Sequence, residues 1–163
     1  MGLPTKTDLE KLKYDLRKYP VRPHIGVGGL LLYQNMILLI KRKYDPGANL
    51  WSIPGGHLKL GETCKKGAER EFLEETTITA HAGKLAGIVD TLIYDEENKL
   101  KYHYVLINYF MEIEDCRFTD TKPIPKLEAQ SDAADIAFVP IGNISDYKIM
   151  EALDTLLKEL SLL

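Results

Sequence analysis

The feature that most constrains this chain is the spacing of acidic residues within the stretch 56–78. If a helix begins near Thr63, Glu71, Glu74 and Glu75 stand at i, i+3 and i+4 and share one face. Two carboxylates about 5 Å apart repel by about 1 kcal/mol in water and by about 3 kcal/mol in a partly enclosed site. A divalent cation would turn that repulsion into binding, and an all-oxygen ligand set suits Mg²⁺ or Mn²⁺ better than zinc.

The surroundings of these glutamates distinguish a metal site from an ordinary solvated helix face. Cys64, Ala68 and Phe72 recur at i, i+4 and i+8, so the helix has a stripe that faces a core. Upstream, residues 51–56 read Trp-Ser-Ile-Pro-Gly-Gly, a short apolar run closed by a turn. Such a turn brings backbone groups to the start of the helix, where phosphate can be held.

The same stretch resembles the Nudix box, G-x5-E-x7-R-E-U-x-E-E-x-G-U, in which U is a bulky apolar residue. The matching positions are Gly56, Glu62, Arg70, Glu71, Phe72, Glu74, Glu75 and Ile78. The second glycine of the box is Thr77 here. Because that glycine ends the helix in a left-handed conformation, which a β-branched residue adopts at a cost, we expect a helix exit of different shape.

The resemblance implies a metal-dependent hydrolase of nucleoside pyrophosphates. Mg²⁺, with Mn²⁺ as an alternative, would be held by Glu71, Glu74 and Glu75 together with the Gly56 carbonyl. It would neutralise the diphosphate and activate a water for in-line attack on phosphorus. Glu71 and Glu75 are therefore the expected catalytic carboxylates, and we expect Arg70 to orient the glutamates by ion pairing.

Length and charge restrict the class of protein further. A chain of 163 residues suits one domain, here residues 1–163. With 21 basic and 24 acidic residues, it has no broad basic surface for nucleic acid. Two cysteines outside any CxxC motif, and no signal-peptide pattern, favour a cytoplasmic protein. No apolar run is long enough to span a membrane, so we expect a small nucleotide as the partner.

An N-terminal extension at about 7–19 is predicted to be helical. Thr7 is a suitable cap, and Pro20 would stop the helix. Its leucine stripe is narrow and lies outside the part expected of the family. We expect it to pack on the flank of the domain or against a second subunit, which leaves a homodimer open.

Strand patterns before and after the box predict the rest of the fold. Residues 24–33 and 36–43 read as strands, and residues 79–95 and 99–112 read as a long hairpin around 96–98. A final helix is predicted over 145–160. Strands interleaved with these helices predict an α/β (α+β) fold, an α/β/α sandwich with a mixed sheet, which the resemblance also implies.

The predicted strand 36–43, joined to the strand 24–33 at Gln34-Asn35, ends in three consecutive cations, residues 41–43, placed to meet phosphate oxygens. Arg42 is the strongest candidate because its guanidinium can bind two oxygens at once. Gly55 and Gly56 of the turn complete the predicted substrate-binding set. A solvated strand end is the alternative for the cations.

A polar loop at 115–134 leads to the last strand and carries further acidic residues. In the family, an acidic residue in such a loop often completes the site as a base or an extra ligand. Spacing does not decide between Glu128, Asp132 and Asp135; Glu128 is ranked first and Asp132 second.

Three functions remain open at this point. The first is cleavage of a nucleoside diphosphate linked to another moiety, with an ADP-ribose-like substrate favoured. The second is a nucleoside triphosphate pyrophosphohydrolase, including one for damaged nucleotides. The third is a non-catalytic nucleotide-binding module, against which the intact acidic set argues, because a binding module has no need to keep that repulsion.

Overall fold

The structure is a computed structural model that describes residues 5–7, 16–119 and 124–163. In chain order, the strands within these ranges are β1 (His24–Leu30), β2 (Leu32–Tyr33), β3 (Met36–Arg42), β4 (Trp51–Ser52), β5 (Gly55–His57), β6 (Ala80–Tyr94), β7 (Leu100–Ile113) and β8 (Ala133–Pro140). Helix α1 (Cys64–Thr76) lies between β5 and β6, and a 3₁₀ helix (Ile141–Asp146) and α2 (Glu151–Glu159) follow β8.

The strands form two sheets. The first has the order β5-β1-β7-β6, with β1 and β7 parallel and the other neighbours antiparallel. The second is built on β3, which pairs antiparallel with β2, β4 and β8. Gln34 and Asn35, at the first predicted turn, have φ values of 49° and 61°, as a tight hairpin turn requires. The predicted mixed sheet and the long β6–β7 hairpin are confirmed. The predicted strand 24–33 is instead divided into β1 and β2, which lie in different sheets, so the first hairpin is the short β2–β3 pair.

Each helix packs its apolar stripe onto one of two core clusters. Ala68 and Phe72 of α1 are fully buried against Val27 and Met111 of the first sheet. The stripe predicted for the box helix is therefore correct. On the other side, α2 contributes Leu153, Leu156 and Leu157 to a cluster that includes residues of both sheets. The space between the two sheets is open where neither cluster fills it, and that opening is the cleft described below.

The C-terminal helix begins later than residue 145, so its predicted start is wrong. The Trp51 N–H donates to the carbonyl of Lys148 (2.9 Å), and the Met150 N–H donates to the carbonyl of Trp51 (2.8 Å). These bonds hold residues 147–150 extended beside β4, so α2 can start only at Glu151. Trp51 itself packs against the core cluster.

The expectation that Thr77 changes the shape of the helix exit is also wrong. Thr77 has φ 60° and ψ 12°, the left-handed conformation that glycine usually supplies, and its N–H donates to the Leu73 carbonyl at 2.9 Å. The neighbouring Thr76 hydroxyl donates to the Phe72 carbonyl and accepts from the Ile78 N–H. Because Phe72 and Ile78 are fully buried on either side, packing imposes the conformation on Thr77 despite its backbone cost.

The predicted N-terminal helix falls largely on residues 8–15, which lie outside the described residues. The segment after it is tied to the long hairpin, since the Tyr19 N–H donates to the Lys101 carbonyl and the Tyr19 hydroxyl donates to Asp95, each at 2.8 Å. Among the described residues, no helix has the length and apolar character needed to cross a membrane.

Candidate active site

A cleft of about 460 Å³ lies between the two sheets, at the end where α1 finishes. Its floor is glycine-rich: a Cβ at Gly28 would come within 2.5 Å of Asn108 Oδ1, and one at Gly55 would come within 2.5 Å of the Val27 carbonyl oxygen. The glycines let β1 and β5 approach closely and keep the floor shallow. The facing wall comes from β3, including Ile40, and the cleft has the size of a small-molecule site.

Glu75 is the box carboxylate that lines this cleft. It is 3% exposed, and the Gly55 N–H, at 2.9 Å, is the single hydrogen-bond donor to its side chain among the described residues. Burial raises the pKa of Glu75 from 4.5 to about 8; the Gly55 bond lowers it, the Glu71 charge raises it and the Arg42 charge lowers it. The folded chain therefore holds a carboxyl group whose negative charge is poorly compensated.

Glu71 lies against the backbone of Gly56. A Cβ at Gly56 would be 2.5–2.6 Å from the carboxyl atoms of Glu71, so glycine at this position makes room for the carboxylate. Burial raises the pKa of Glu71, and the Arg70 guanidinium lowers it. Glu74 is more exposed and lies at the rim, where Lys59 approaches it at 3.9 Å.

Arg70 connects the box residues to one another. It donates to Glu62 from Nε (2.7 Å), to Glu71 (2.6 Å) and Glu74 (3.3 Å) from Nη1, and to the His57 carbonyl from Nη2 (3.0 Å). The hydrogen bond from Arg70 lowers the pKa of Glu62 to about 2. This geometry agrees with the expectation that Arg70 orients the glutamates, because Arg70 is not among the residues that line the cleft.

Arg42 lines the cleft on the side opposite the glycine floor. Its Nε donates to the Pro46 carbonyl at 2.9 Å, which fixes the side chain within the turn 44–50. The positive charge of Arg42 lowers the pKa of Glu75, so the Arg42 guanidinium and the Glu75 carboxyl group face the same space. The structure thus brings together Arg42, Gly55, Gly56 and Glu75 from three separate parts of the sequence.

The acidic loop before β8 contributes Asp132 to the cleft, whereas Glu128 and Asp135 are exposed and are not among its lining residues. The Gln130 N–H donates to the backbone carbonyl of Glu75 at 3.1 Å, which anchors this loop to the end of α1. The negative charge of Asp132 raises the pKa of Glu75. The sequence ranking, with Glu128 ahead of Asp132, is the reverse of what these positions favour.

Other lining residues were not predicted from the sequence, among them His57, Thr91 and Tyr104. Burial, together with the smaller effect of the Arg17 charge, lowers the pKa of His57 from 6.5 to about 4. Its ring lies 5.5 Å from the Tyr104 ring. The only sequence signal was the alternation along β7 that places Tyr104 on the same face as Asn108, because the partners of these residues come from distant strands.

The donor set suits a hard divalent cation. It consists of carboxylate oxygens and the Gly56 carbonyl, and it includes the buried Glu75, whose charge has little compensation from the protein. Arg70 Nη1 contacts both Glu71 and Glu74. In the described part of the chain, no three acidic, histidine or cysteine side chains are clustered closely enough to hold a metal as they stand.

Solved structures share the fold of this chain. A MutT NUDIX hydrolase from Burkholderia pseudomallei has the same fold, with a TM-score of 0.67 and 24% identity over 85% of this chain and 98% of that chain. A bifunctional NMN adenylyltransferase/ADP ribose pyrophosphatase from Francisella tularensis, complexed with AMP and a Mn ion, matches with a TM-score of 0.64 and 22% identity, over 94% of this chain and 45% of that chain.

The sequence comparisons are more specific. The NUDIX domain family model matches residues 22–160, so the chain belongs to the Nudix hydrolase family. An ADP-ribose pyrophosphatase of Methanocaldococcus jannaschii is 30% identical over 128 residues, which is 71% of this chain and 73% of that protein. A putative 8-oxo-dGTP diphosphatase of Bacillus subtilis is 39% identical over 64 residues, only 39% of this chain and 41% of that protein. The protein is therefore a Nudix pyrophosphohydrolase, as the box predicted.

Proposed function

We propose that this Nudix hydrolase cleaves the pyrophosphate bond of a nucleoside diphosphate linked to a second moiety, with ADP-ribose or a close analogue as substrate, and that it requires Mg²⁺ or Mn²⁺. The observation that carries the proposal is the meeting of Arg42, Glu75 and Asp132 in one cleft of small-molecule size. Cations and carboxylates that line the same opening match a substrate that carries phosphate and a site that uses a metal.

The residues divide into those that hold the metal and those that hold the substrate. Glu71, Glu74 and Glu75 would hold the cation, together with the Gly56 carbonyl. When bound, Mg²⁺ supplies charge neutralisation and activation of a water for attack on phosphorus. The chain's own contribution is positioning: Arg70 keeps Glu71 and Glu74 on one side of the helix.

Asp132 is the proposed acidic residue that completes the site. It lies in the cleft with Glu75, and its loop is anchored to the end of α1, so it is placed to accept a proton from the attacking water. Arg42 on the opposite wall would bind the phosphate oxygens through the guanidinium nitrogens not used by Pro46.

The substrate assignment is supported by the archaeal relative named as an ADP-ribose pyrophosphatase, because that match covers most of both chains. The relative named for 8-oxo-dGTP supports the second candidate, a nucleoside triphosphate pyrophosphohydrolase, over a shorter segment. The two reactions release different products. ADP-ribose gives AMP and ribose 5-phosphate, whereas a triphosphate gives a nucleoside monophosphate and pyrophosphate.

The test is a substrate panel with the purified full chain, in which each product is quantified with Mg²⁺, with Mn²⁺ and with EDTA. We expect AMP and ribose 5-phosphate from ADP-ribose with either metal and none with EDTA. Glu75→Gln should lower kcat/KM at least about 100-fold, which is about 2.7 kcal/mol of transition-state stabilisation.

Glu69→Gln is the matched control for this experiment. Glu69 lies on the same helix but accepts from the Ala82 N–H at 3.1 Å and does not line the cleft. The Glu69→Gln variant should have a kcat/KM within about twofold of the parent's. Binding of nucleotide without turnover of any panel member would instead identify a binding module and refute the proposed activity.

A further inference from the structure

The cleft extends well beyond the carboxylates, along the floor of the first sheet. Glu75 accepts from Gly55, which pairs with Gly28 on β1. Four residues earlier on β1, His24 pairs with Tyr104 of β7. At about 3.3 Å per residue, the Tyr104 end of the cleft is about 13 Å from the Glu75 end. That separation leaves room for a ribose and a base beyond the pyrophosphate.

The Tyr104 end carries two buried polar atoms that no described residue satisfies: His57 Nε2 and Thr91 Oγ1. They approach Tyr104 from opposite sides, because Thr91 is its pairing partner on β6 and the His57 ring of β5 packs against it at 5.5 Å. A buried polar group without a partner costs about 1–3 kcal/mol, so two at one end of an open cleft are unusual within a folded core.

This end of the cleft combines an apolar surface with hydrogen-bonding edges and a cation, Arg17, whose charge acts on His57. Tyr104 and Leu106 supply the apolar surface. A threonine hydroxyl both donates and accepts, and an imidazole nitrogen does either according to its tautomer. A planar heterocycle with polar edges uses all of these groups. A sugar would use the hydroxyl and the imidazole but gains less from an aromatic surface.

We propose that the Tyr104 end of the cleft is a nucleobase subsite, in which a base lies against Tyr104 and Leu106 and hydrogen-bonds His57 Nε2 and Thr91 Oγ1. The inference rests on the proposed function, because it takes the pyrophosphate of a nucleoside diphosphate to lie at the Glu75 end. It adds the residues that select the nucleoside.

The test compares ligands with and without a base. Calorimetry with Mg²⁺ present measures the dissociation constants of AMP, GMP, CMP and UMP, and of ribose 5-phosphate as the base-free probe. At least one nucleotide should bind the parent ten times more tightly than ribose 5-phosphate. Thr91→Val keeps the side-chain shape and removes the hydroxyl. It should therefore raise the dissociation constant of that nucleotide at least fivefold and leave the dissociation constant of ribose 5-phosphate within twofold of the parent's.

Three companion variants make the result specific. Thr91→Ser retains the hydroxyl and should bind the nucleotide within about threefold of the parent. Thr79→Val makes the same change at an exposed threonine outside the cleft and should have no effect. Thr91→Ala replaces Thr91→Val if the melting temperature shows that the valine variant does not fold.

Two results overturn the inference. In the first, ribose 5-phosphate binds the parent as tightly as every nucleotide does. In the second, loss of the Thr91 hydroxyl weakens the binding of ribose 5-phosphate as much as the binding of the nucleotide. Either result leaves the hydrolase proposal intact when the parent still cleaves ADP-ribose. Conversely, selective nucleotide binding without hydrolysis of any panel member refutes the proposed function and keeps the subsite.

Discussion

Replacement of Glu75 by Gln should remove the pH dependence that this residue imposes on metal-free stability. In the folded chain the pKa of Glu75 is about 8, against an ordinary value of 4.5, because the side chain is buried. Between pH 4.5 and about 8, the Glu75 carboxyl group is ionised in the unfolded chain and protonated in the folded chain. The stability that Glu75 contributes is therefore fully present below about pH 4.5 and is lost as pH rises towards 8.

The magnitude follows from that interval. At 1.36 kcal/mol per pH unit, the change from 4.5 to about 8 corresponds to about 5 kcal/mol of unfolding free energy. Movement of the Glu75 side chain towards water reduces this effect. We therefore expect the unfolding free energy of the parent to fall by at least about 2 kcal/mol more than that of Glu75→Gln between pH 5 and pH 8. The amide cannot ionise and keeps an oxygen that can accept from the Gly55 N–H.

Urea unfolding in EDTA at pH 5, 6, 7 and 8 measures this difference, with Glu69→Gln as the control. Burial raises the pKa of Glu69, but its bonds from Lys66 and Ala82 outweigh that effect and leave the pKa below its ordinary value. Glu69 is therefore ionised in both the folded and the unfolded chain between pH 5 and 8, so its own titration adds no pH dependence in this range. Parallel curves for the parent and Glu75→Gln would show that Glu75 is ionised and compensated in the folded chain, which would refute this reasoning.

The remaining predictions concern the cleft. Turnover should stop in EDTA and return with Mg²⁺ or Mn²⁺, as product assays will show; full turnover in a rigorously metal-free sample contradicts the proposed ligands. Arg42→Ala should raise KM more than it lowers kcat, since phosphate binding persists from ground state to transition state; an unchanged KM for all substrates would leave Arg42 with a structural role. Asp132→Asn should lower kcat at least tenfold and Glu128→Gln less than twofold, and the opposite order in steady-state kinetics would restore the sequence ranking.

Features that depend on local spacing could be predicted from the sequence. The box helix begins after Thr63, whose side chain accepts from the Lys66 N–H, and its buried stripe recurs every four residues. The β6–β7 hairpin likewise follows from alternation on either side of a polar turn. In both cases the residues that decide the structure are neighbours in the chain, so their pattern is visible without a fold.

Features that depend on pairing between distant segments could not be predicted. Asp132 and Glu128 are four residues apart in one loop. The bond from the Gln130 N–H to the end of α1 and the bond from the Lys43 N–H to the Asp132 carbonyl hold the loop so that Asp132, rather than Glu128, lies in the cleft. The late start of α2 has a similar origin, because Trp51 holds the preceding residues extended. These contacts join parts of the chain that are between 55 and about 100 residues apart, and the local sequence carries no sign of them.

The distribution of charge in the box indicates how one motif can stabilise a fold and also prepare a reactive site. A single guanidinium, that of Arg70, pairs with Glu62, Glu71 and Glu74. Glu75 receives no such bond from the described residues and is the most buried of the set. The same burial that makes its charge costly in the free protein strengthens its attraction for any cation or phosphate-bound metal that enters, because the surrounding dielectric is low. Arg70 therefore determines which carboxylate remains available, and the cleft determines how strongly that carboxylate acts.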